Sequence, residues 1–187
     1  LYLQGEVVEK NVGEALQWFW KADAKDNPYA QYQLGKIYLK GEDVSANYVT
    51  AQRMFEKSVR QGNAYAMYSL AKMQLQGTAK YSDIYYAVRL LSEAAKRGNQ
   101  WAEYQLGKMY LYGQRVDKDY ELAVQLLTSS ASKGNEYAHH ILDNYHPYTH
   151  SSSATVLASM RLLARLSQII RDDAEKRNTN SRTIDRK

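Results

Sequence analysis

The sequence predicts an all-α protein, a solenoid of stacked helix–turn–helix units, and three observations predict it. Gly5, Gly41, Gly77 and Gly113 stand in register 36 residues apart (41 − 5), and the period holds in further columns: Ala30, Ala66, Ala102 and Ala138; Leu34, Leu70, Leu106 and Leu142; Ala15, Ala51, Ala87 and Ala123. Within each period apolar residues recur three and four apart, the spacing of one helix face, and no stretch alternates as a half-buried strand does. Gly62-Asn63, Gly98-Asn99 and Gly134-Asn135 punctuate the period a second time, with Asp26-Asn27 in their place in the first copy. A unit of this size buries its apolar face only by stacking on its neighbours.

The elements follow in order. LYLQG at the start repeats as IYLKG (37–41), MQLQG (73–77) and MYLYG (109–113), so it reads as the end of a helix whose beginning precedes residue 1. The same helix is complete from Tyr29 to Lys40, where Ala30, Leu34, Ile37 and Tyr38 share a face and Gly41 supplies a C-cap. We call it helix A. A short loop with an apolar anchor follows (Val8, Val44, Val116), and then helix B, exemplified by Asp119 to Ser132, with Tyr120, Ala123, Val124 and Leu127 on one face. Asn47, Ser82 or Asp83, and Asp119 are expected N-caps, because a short side-chain oxygen accepts from the free amides of the first turn. Helix B is expected to end at the glycine–asparagine pair, where a left-handed residue is easily adopted. Small residues at 30, 35, 51, 66, 71, 87, 102, 107 and 123 mark where helices approach most closely.

After Asn144 the period stops. Residues 1–145 form the repeat array, 146–152 (HPYTHSS) a linker, 153–177 an amphipathic helix, and 178–187 a polar tail expected to be disordered. In the amphipathic helix Val156, Met160, Leu163, Leu166 or Ser167, and Ile170 make an apolar stripe that Leu157, Leu162 and Ile169 widen. It is expected to cap the last repeat, to fold into the array's own groove opposite its lysines, or to dimerise. In the second case Asp172, Asp173 or Glu175 would meet the lysines.

Charge and composition restrict function. The chain of 187 residues has a net charge of +5, but residues 146–187 hold 8 of the 25 basic and 4 of the 20 acidic side chains, which leaves 17 and 16 in the repeats. A nearly neutral array lacks the broad cationic stripe of a protein that grips phosphates. With no cysteine there is no disulfide, thiolate metal site or cysteine nucleophile. No apolar run approaches the roughly 20 residues that cross a bilayer, so a soluble, cytoplasmic chain without a membrane partner is expected. His139, His140, His146 and His150 cluster in sequence, but Pro147 interrupts the His-x3-His pair and no carboxylate stands at ligand spacing. No glycine loop cradles a phosphate and no nucleophile elbow is present. No catalytic residue, metal or cofactor is expected, and this chain is not read as an enzyme.

The pattern A-x-Y-x-L-G-x-x-Y-x-x-G, then a valine, a polar helix start, an alanine and a closing A-A-x-x-G-N, resembles the Sel1-like repeat, a relative of the tetratricopeptide repeat. AEYQLGKMYLYGQRVDKDYELA at 102–123 matches it almost column for column. Ala71 in place of glycine, Gln74 in place of tyrosine, Lys80-Tyr81 in the third loop and Asp143 in the glycine column depart from it. The resemblance implies an α/α superhelix whose concave wall is lined by helix A and whose work is to hold other proteins. Placed on the tetratricopeptide pattern, Tyr29, Tyr65, Trp101 and Tyr137 form one groove-facing column, Tyr32, Tyr68, Tyr104 and His140 the next, and Lys36, Lys72 and Lys108 a third.

Such a groove suits a peptide bearing carboxylates, with rings giving contact area at low entropic cost and lysines acting as point charges. Two bland accounts compete with it: the tyrosines pack between helices, and the lysines line a solvated face. A protein or peptide scaffold is the expected function, with a nucleic-acid-binding module using the lysines, tyrosines and basic tail as the alternative. LLARLSQIIRDD and the basic R-T-I-D-R-K end also resemble the C-terminal part of MobA/MobL-type plasmid mobilisation relaxases of Gram-positive bacteria. That resemblance implies an accessory docking role in a larger DNA-nicking enzyme, whose nicking tyrosine and metal-binding histidines would lie outside this chain.

Overall fold

The computed structural model describes residues 11–144. Over these it is helical, with no strand, and the helices are α1 (Val12–Asp23), α2 (Pro28–Lys40), α3 (Tyr48–Arg60), α4 (Ala64–Gln76), α5 (Ile84–Lys96), α6 (Gln100–Tyr112), α7 (Tyr120–Ser132) and α8 (Glu136–Asn144). The even-numbered ones are helix A and the odd-numbered ones helix B, and each type recurs at the period read from the glycines. The expected linker, amphipathic helix and tail, together with LYLQG and Val8, lie outside the described residues.

Helix boundaries follow from local chemistry. Asn11, Asn47, Asp83 and Asp119 each accept from the backbone N–H three residues on, at 3.1, 2.9, 3.0 and 3.0 Å, so between Ser82 and Asp83 the cap is Asp83. Asn27, Asn63, Asn99 and Asn135 do the same for helix A, at 3.0, 3.1, 3.0 and 3.3 Å. Each such cap contributes about 1 kcal/mol. Helices α2 and α4 close on left-handed Gly41 and Gly77. Helix B exits through Gly62, Gly98 and Gly134 at φ 82°, 82° and 88°, and Asp26 adopts the same region at φ 54° without being glycine. An aspartate tolerates that conformation better than most side chains, and its Oδ1 also accepts from Gln31 Nε2 at 3.3 Å.

Contacts divide the chain after Leu106, within α6. In the first unit α1 packs on α2, α2 on α3, α3 on α4 and α4 on α5. The small-residue columns are buried, and among the large side chains Leu34, Phe55, Leu70 and Leu91 are fully so. Gly35 shows why a small residue is needed: a Cβ there would lie 2.5 Å from the Phe55 ring. A polar network crosses three helices of this unit. Asp23, at the end of α1, accepts from Gln31 Nε2 at 3.0 Å and from Lys57 Nζ at 2.9 Å, and Gln61 Nε2 donates to Gln31 Oε1 at 2.8 Å. In the third-copy loop Ala79 takes the buried place that Val44 half-fills one copy earlier, and the Lys80 N–H donates to Gln52 Oε1 at 2.9 Å.

In the second unit α7 packs on α8. Gly107 of α6 faces Leu127 of α7, whose Cγ would lie 2.9 Å from an added Cβ. Ala138 is fully buried. Leu142 is half-buried and Asp143, in the glycine column, is exposed.

Candidate functional site

The glycine–asparagine pairs that end helix B also position the residues of the helix A face. Asn63 accepts from the Tyr65 N–H at 3.0 Å while its Nδ2 donates to Pro28 O at 3.5 Å, a carbonyl that Ser58 Oγ reaches at 2.7 Å. One side chain therefore caps α4 and ties its first turn to the start of α2. Tyr29 and Tyr65, second residues of their helices, are held there with 62% and 58% of their surface exposed. Trp101, in the same place on α6, is half-buried.

The next column is buried more deeply. Tyr32 is half-buried, its ring 6.0 Å from Tyr65 and 6.1 Å from Phe55, with the Lys36 ammonium 5.5 Å above it. Such tilted ring pairs and the overlying cation each add about 1 kcal/mol or less. Burial pushes the Tyr32 hydroxyl above the ordinary tyrosine range, the Ser69 side chain acting in the opposite direction, and burial does the same to Tyr68, with Tyr104 beside it. Both phenols are therefore neutral donors at physiological pH. The packing account of the tyrosines thus describes Tyr32, whereas Tyr29 and Tyr65 are presented to solvent.

Around Tyr68 the face opens into a pocket of about 110 Å³, lined by Tyr68, Lys72, Leu75, Gln76, Leu91 and Gln105. Neither Lys36 nor Lys72 forms an ion pair with a described carboxylate, whereas Lys40 pairs with Glu42 and Lys57 with Asp23. Sequence reasoning placed Tyr68 and Lys72 here but missed Gln76, Gln105 and Leu91, because glutamine is unremarkable on a helix surface and Leu91 reads as core. A second exposed apolar set was also missed: Tyr48, Val49, Tyr81, Ile84 and Tyr85, in and just before the first turns of α3 and α5. Tyr48 and Ile84 stand in the column of Tyr120, which the sequence pattern assigns to the helix B stripe, so nothing in that pattern marks them as exposed.

Of the eleven predicted groove residues, the first unit holds Tyr29, Tyr32, Lys36, Tyr65, Tyr68, Lys72, Trp101 and Tyr104. The second unit holds Lys108, half-buried on α6, and Tyr137 and His140, exposed on α8. The Tyr137 N–H donates to Asn135 Oδ1 at 3.1 Å, which repeats the arrangement at Asn63 and Tyr65. No group of three metal-ligating side chains occurs among the described residues, and no helix among them is long and apolar enough to cross a membrane. His146 and His150 lie outside them.

Tandem antiparallel helix pairs, capped by asparagine or aspartate and turned by glycine, define a helical-repeat protein. The Sel1 repeat model matches residues 1–22, 28–63, 64–99 and 102–135, and the chain belongs to the Sel1 repeat family. Its fold is similar to that of a Sel1 repeat protein from Oxalobacter formigenes, with a TM-score of 0.75, 24% identity, and coverage of 92% of this chain and 69% of that one. A protective antigen of uropathogenic Escherichia coli with an SLR fold aligns with a TM-score of 0.72 at 26% identity over 88% of this chain, which spans 36% of the antigen. Cysteine-rich protein B of Helicobacter pylori aligns with a TM-score of 0.56 at 20% identity, over 73% of this chain and 98% of that one. No curated protein matches the chain. This chain has no cysteine, so no disulfide ties its hairpins.

Proposed function

We propose that the chain is a protein-interaction scaffold that holds an extended or helical peptide on its helix A face. Membership of the Sel1 repeat family supports the general role, and one observation supports the place. Tyr29 and Tyr65 are large, mostly exposed rings fixed in register by their capping asparagines, beside half-buried Tyr32 and Tyr68 and beside Lys36 and Lys72, which form no ion pair among the described residues. Rigid aromatic side chains at the centre of a face carry most of the energy of protein recognition. Trp101 and Tyr104 extend the proposed face within the first unit, and Lys108, Tyr137 and His140 are the proposed binding residues of the second.

The relaxase reading belongs to the same proposal in finer form, as an accessory docking region of a larger mobilisation enzyme. Its motifs lie in the tail, outside the described residues, and the family match ends at residue 135. It gives no residue of this chain a catalytic role.

A peptide-display selection on the full chain, run beside binding of fluorescent single-stranded and duplex DNA at two salt concentrations, tests the proposal. Enriched peptides whose affinity changes little with salt support it. DNA binding that falls steeply with salt and is lost in Lys36→Ala, Lys72→Ala and Lys108→Ala overturns it in favour of phosphate recognition.

A further inference from the structure

The pocket beside Tyr68 is chemically uneven. Its floor and one wall are the aliphatic side chains of Leu91 and Leu75, and its rim carries the Lys72 ammonium, the Tyr68 hydroxyl and the amides of Gln76 and Gln105. None of these four polar groups has a hydrogen-bond or ion-pair partner among the described residues. The residues that line the pocket include no carboxylate. The site therefore offers donors around a single positive charge above an apolar base, with no anion of its own.

A volume of about 110 Å³ is that of a few water molecules at roughly 30 Å³ each. It has room for a short aliphatic chain ending in a small polar head. One lysine with no arginine matches one negative charge, whereas a phosphate dianion is ordinarily met by arginine or by backbone amides as well.

We propose that this pocket is a carboxylate subsite that takes a glutamate side chain of the incoming peptide, its methylenes against Leu75 and Leu91 and its head toward Lys72, Gln76 and Gln105. The proposal rests on the peptide-binding reading and names the chemistry that the face selects. The corresponding place one copy earlier is lined differently. There Phe55 stands where Leu91 does, Tyr32 leans on it at 6.1 Å, and Lys36 lies over the Tyr32 ring instead of beside a cavity.

The probe is N-acetyl-glutamate N-methylamide, titrated into the full chain with leucine-methyl labelling and compared with its glutamine analogue. The Leu75 and Leu91 methyl signals are expected to shift saturably with the glutamate probe, and the glutamine probe to bind about tenfold more weakly, the worth of one charge-assisted hydrogen bond. Lys72→Gln should remove that preference and Lys36→Gln should leave it. Closing the pocket with the pair Ala71→Gly and Leu91→Phe, which copies Gly35 and Phe55, should abolish binding while circular dichroism and melting report an intact fold. Equal binding of the two probes, no shift at either leucine, or a preference that survives Lys72→Gln overturns the subsite. Peptides still captured through Tyr29 and Tyr65 in that case leave the groove standing. Loss of peptide capture with glutamate binding retained removes the groove and leaves the subsite.

Discussion

In the α2–α3 hairpin the groove tyrosine leans on a phenylalanine, and in the α4–α5 hairpin the equivalent tyrosine borders a pocket. The two hairpins share caps, turns and alanine columns. Among their differences is one linked pair: Gly35 faces Phe55 where Ala71 stands with Leu91. A phenylalanine fits only opposite a residue without a Cβ, and its ring fills the space under the tyrosine from behind. With an alanine methyl in that place, helix B carries the smaller leucine and the front of helix A is left hollow. A fully buried residue of helix B thus shapes the proposed binding face of helix A, so that face can differ between copies that share the same tyrosine and lysine columns.

Breaking the core on either side should have the largest effect. Phe55→Ala removes a fully buried ring and is expected to cost about 3 to 5 kcal/mol, with Leu91→Ala costing less because its cavity is smaller and already borders open space. Denaturant midpoints of the two variants check the order. Overpacking is next: Gly35→Ala drives a methyl into the Phe55 ring and should cost about 1 to 3 kcal/mol, part of which Phe55→Leu restores in the same chain. Ala71→Gly, where no ring intrudes, should cost only about 1 kcal/mol, the intrinsic helix penalty.

The polar staple separates the hairpins by a smaller amount. Lys57→Ala leaves the buried Asp23 carboxylate with only Gln31 and should cost about 2 kcal/mol. Glu93→Ala, at the position of Lys57 one copy later, removes an exposed helix-surface pair with Arg97 and should cost about 0.5 kcal/mol or less. Alkaline pH gives the smallest difference. Tyr32 and Tyr68 titrate above their ordinary value of 10.0 because burial disfavours the phenolate. The folded state therefore holds their protons more tightly, and the stability they contribute is complete below pH 10.0 and is lost as pH rises through the raised values. Tyr68→Phe should flatten that loss, measured as melting temperature against pH, and leave the neutral range unchanged.

Most of the fold was legible because its determinants are columns. A glycine, alanine or asparagine that returns at every period has one backbone task, and the helix ends fell within a residue of where the caps placed them. What escaped breaks the columns. Asp23, Gln31 and Lys57 form a network in the first copies, but one period later the first two positions hold Val59 and Met67, so no repeated pattern announces it. The same limit applied to the site. The tyrosine and lysine columns were visible, yet which half-buried tyrosine packs on a ring and which borders a pocket turns on Phe55 and Leu91, two apolar residues that a periodic reading treats as equivalent. In the exposed set at Tyr48, Val49, Tyr81, Ile84 and Tyr85, Tyr48 and Ile84 share the column of Tyr120, and periodicity alone places that column on the helix B stripe without telling that its first turn stays exposed.

That second exposed set allows the most direct test of the central claim, that the helix A face is where peptides are held. Peptides selected on the full chain should be measured against two variants, Tyr29→Ser with Tyr65→Ser on the helix A face, and Tyr81→Ser with Tyr85→Ser at the helix B edge. The account predicts a loss of about tenfold or more in affinity for the first variant, as for central aromatic anchors, and little change for the second. Affinity that survives the first variant and disappears in the second would contradict it and move the binding site to the other side of the repeat.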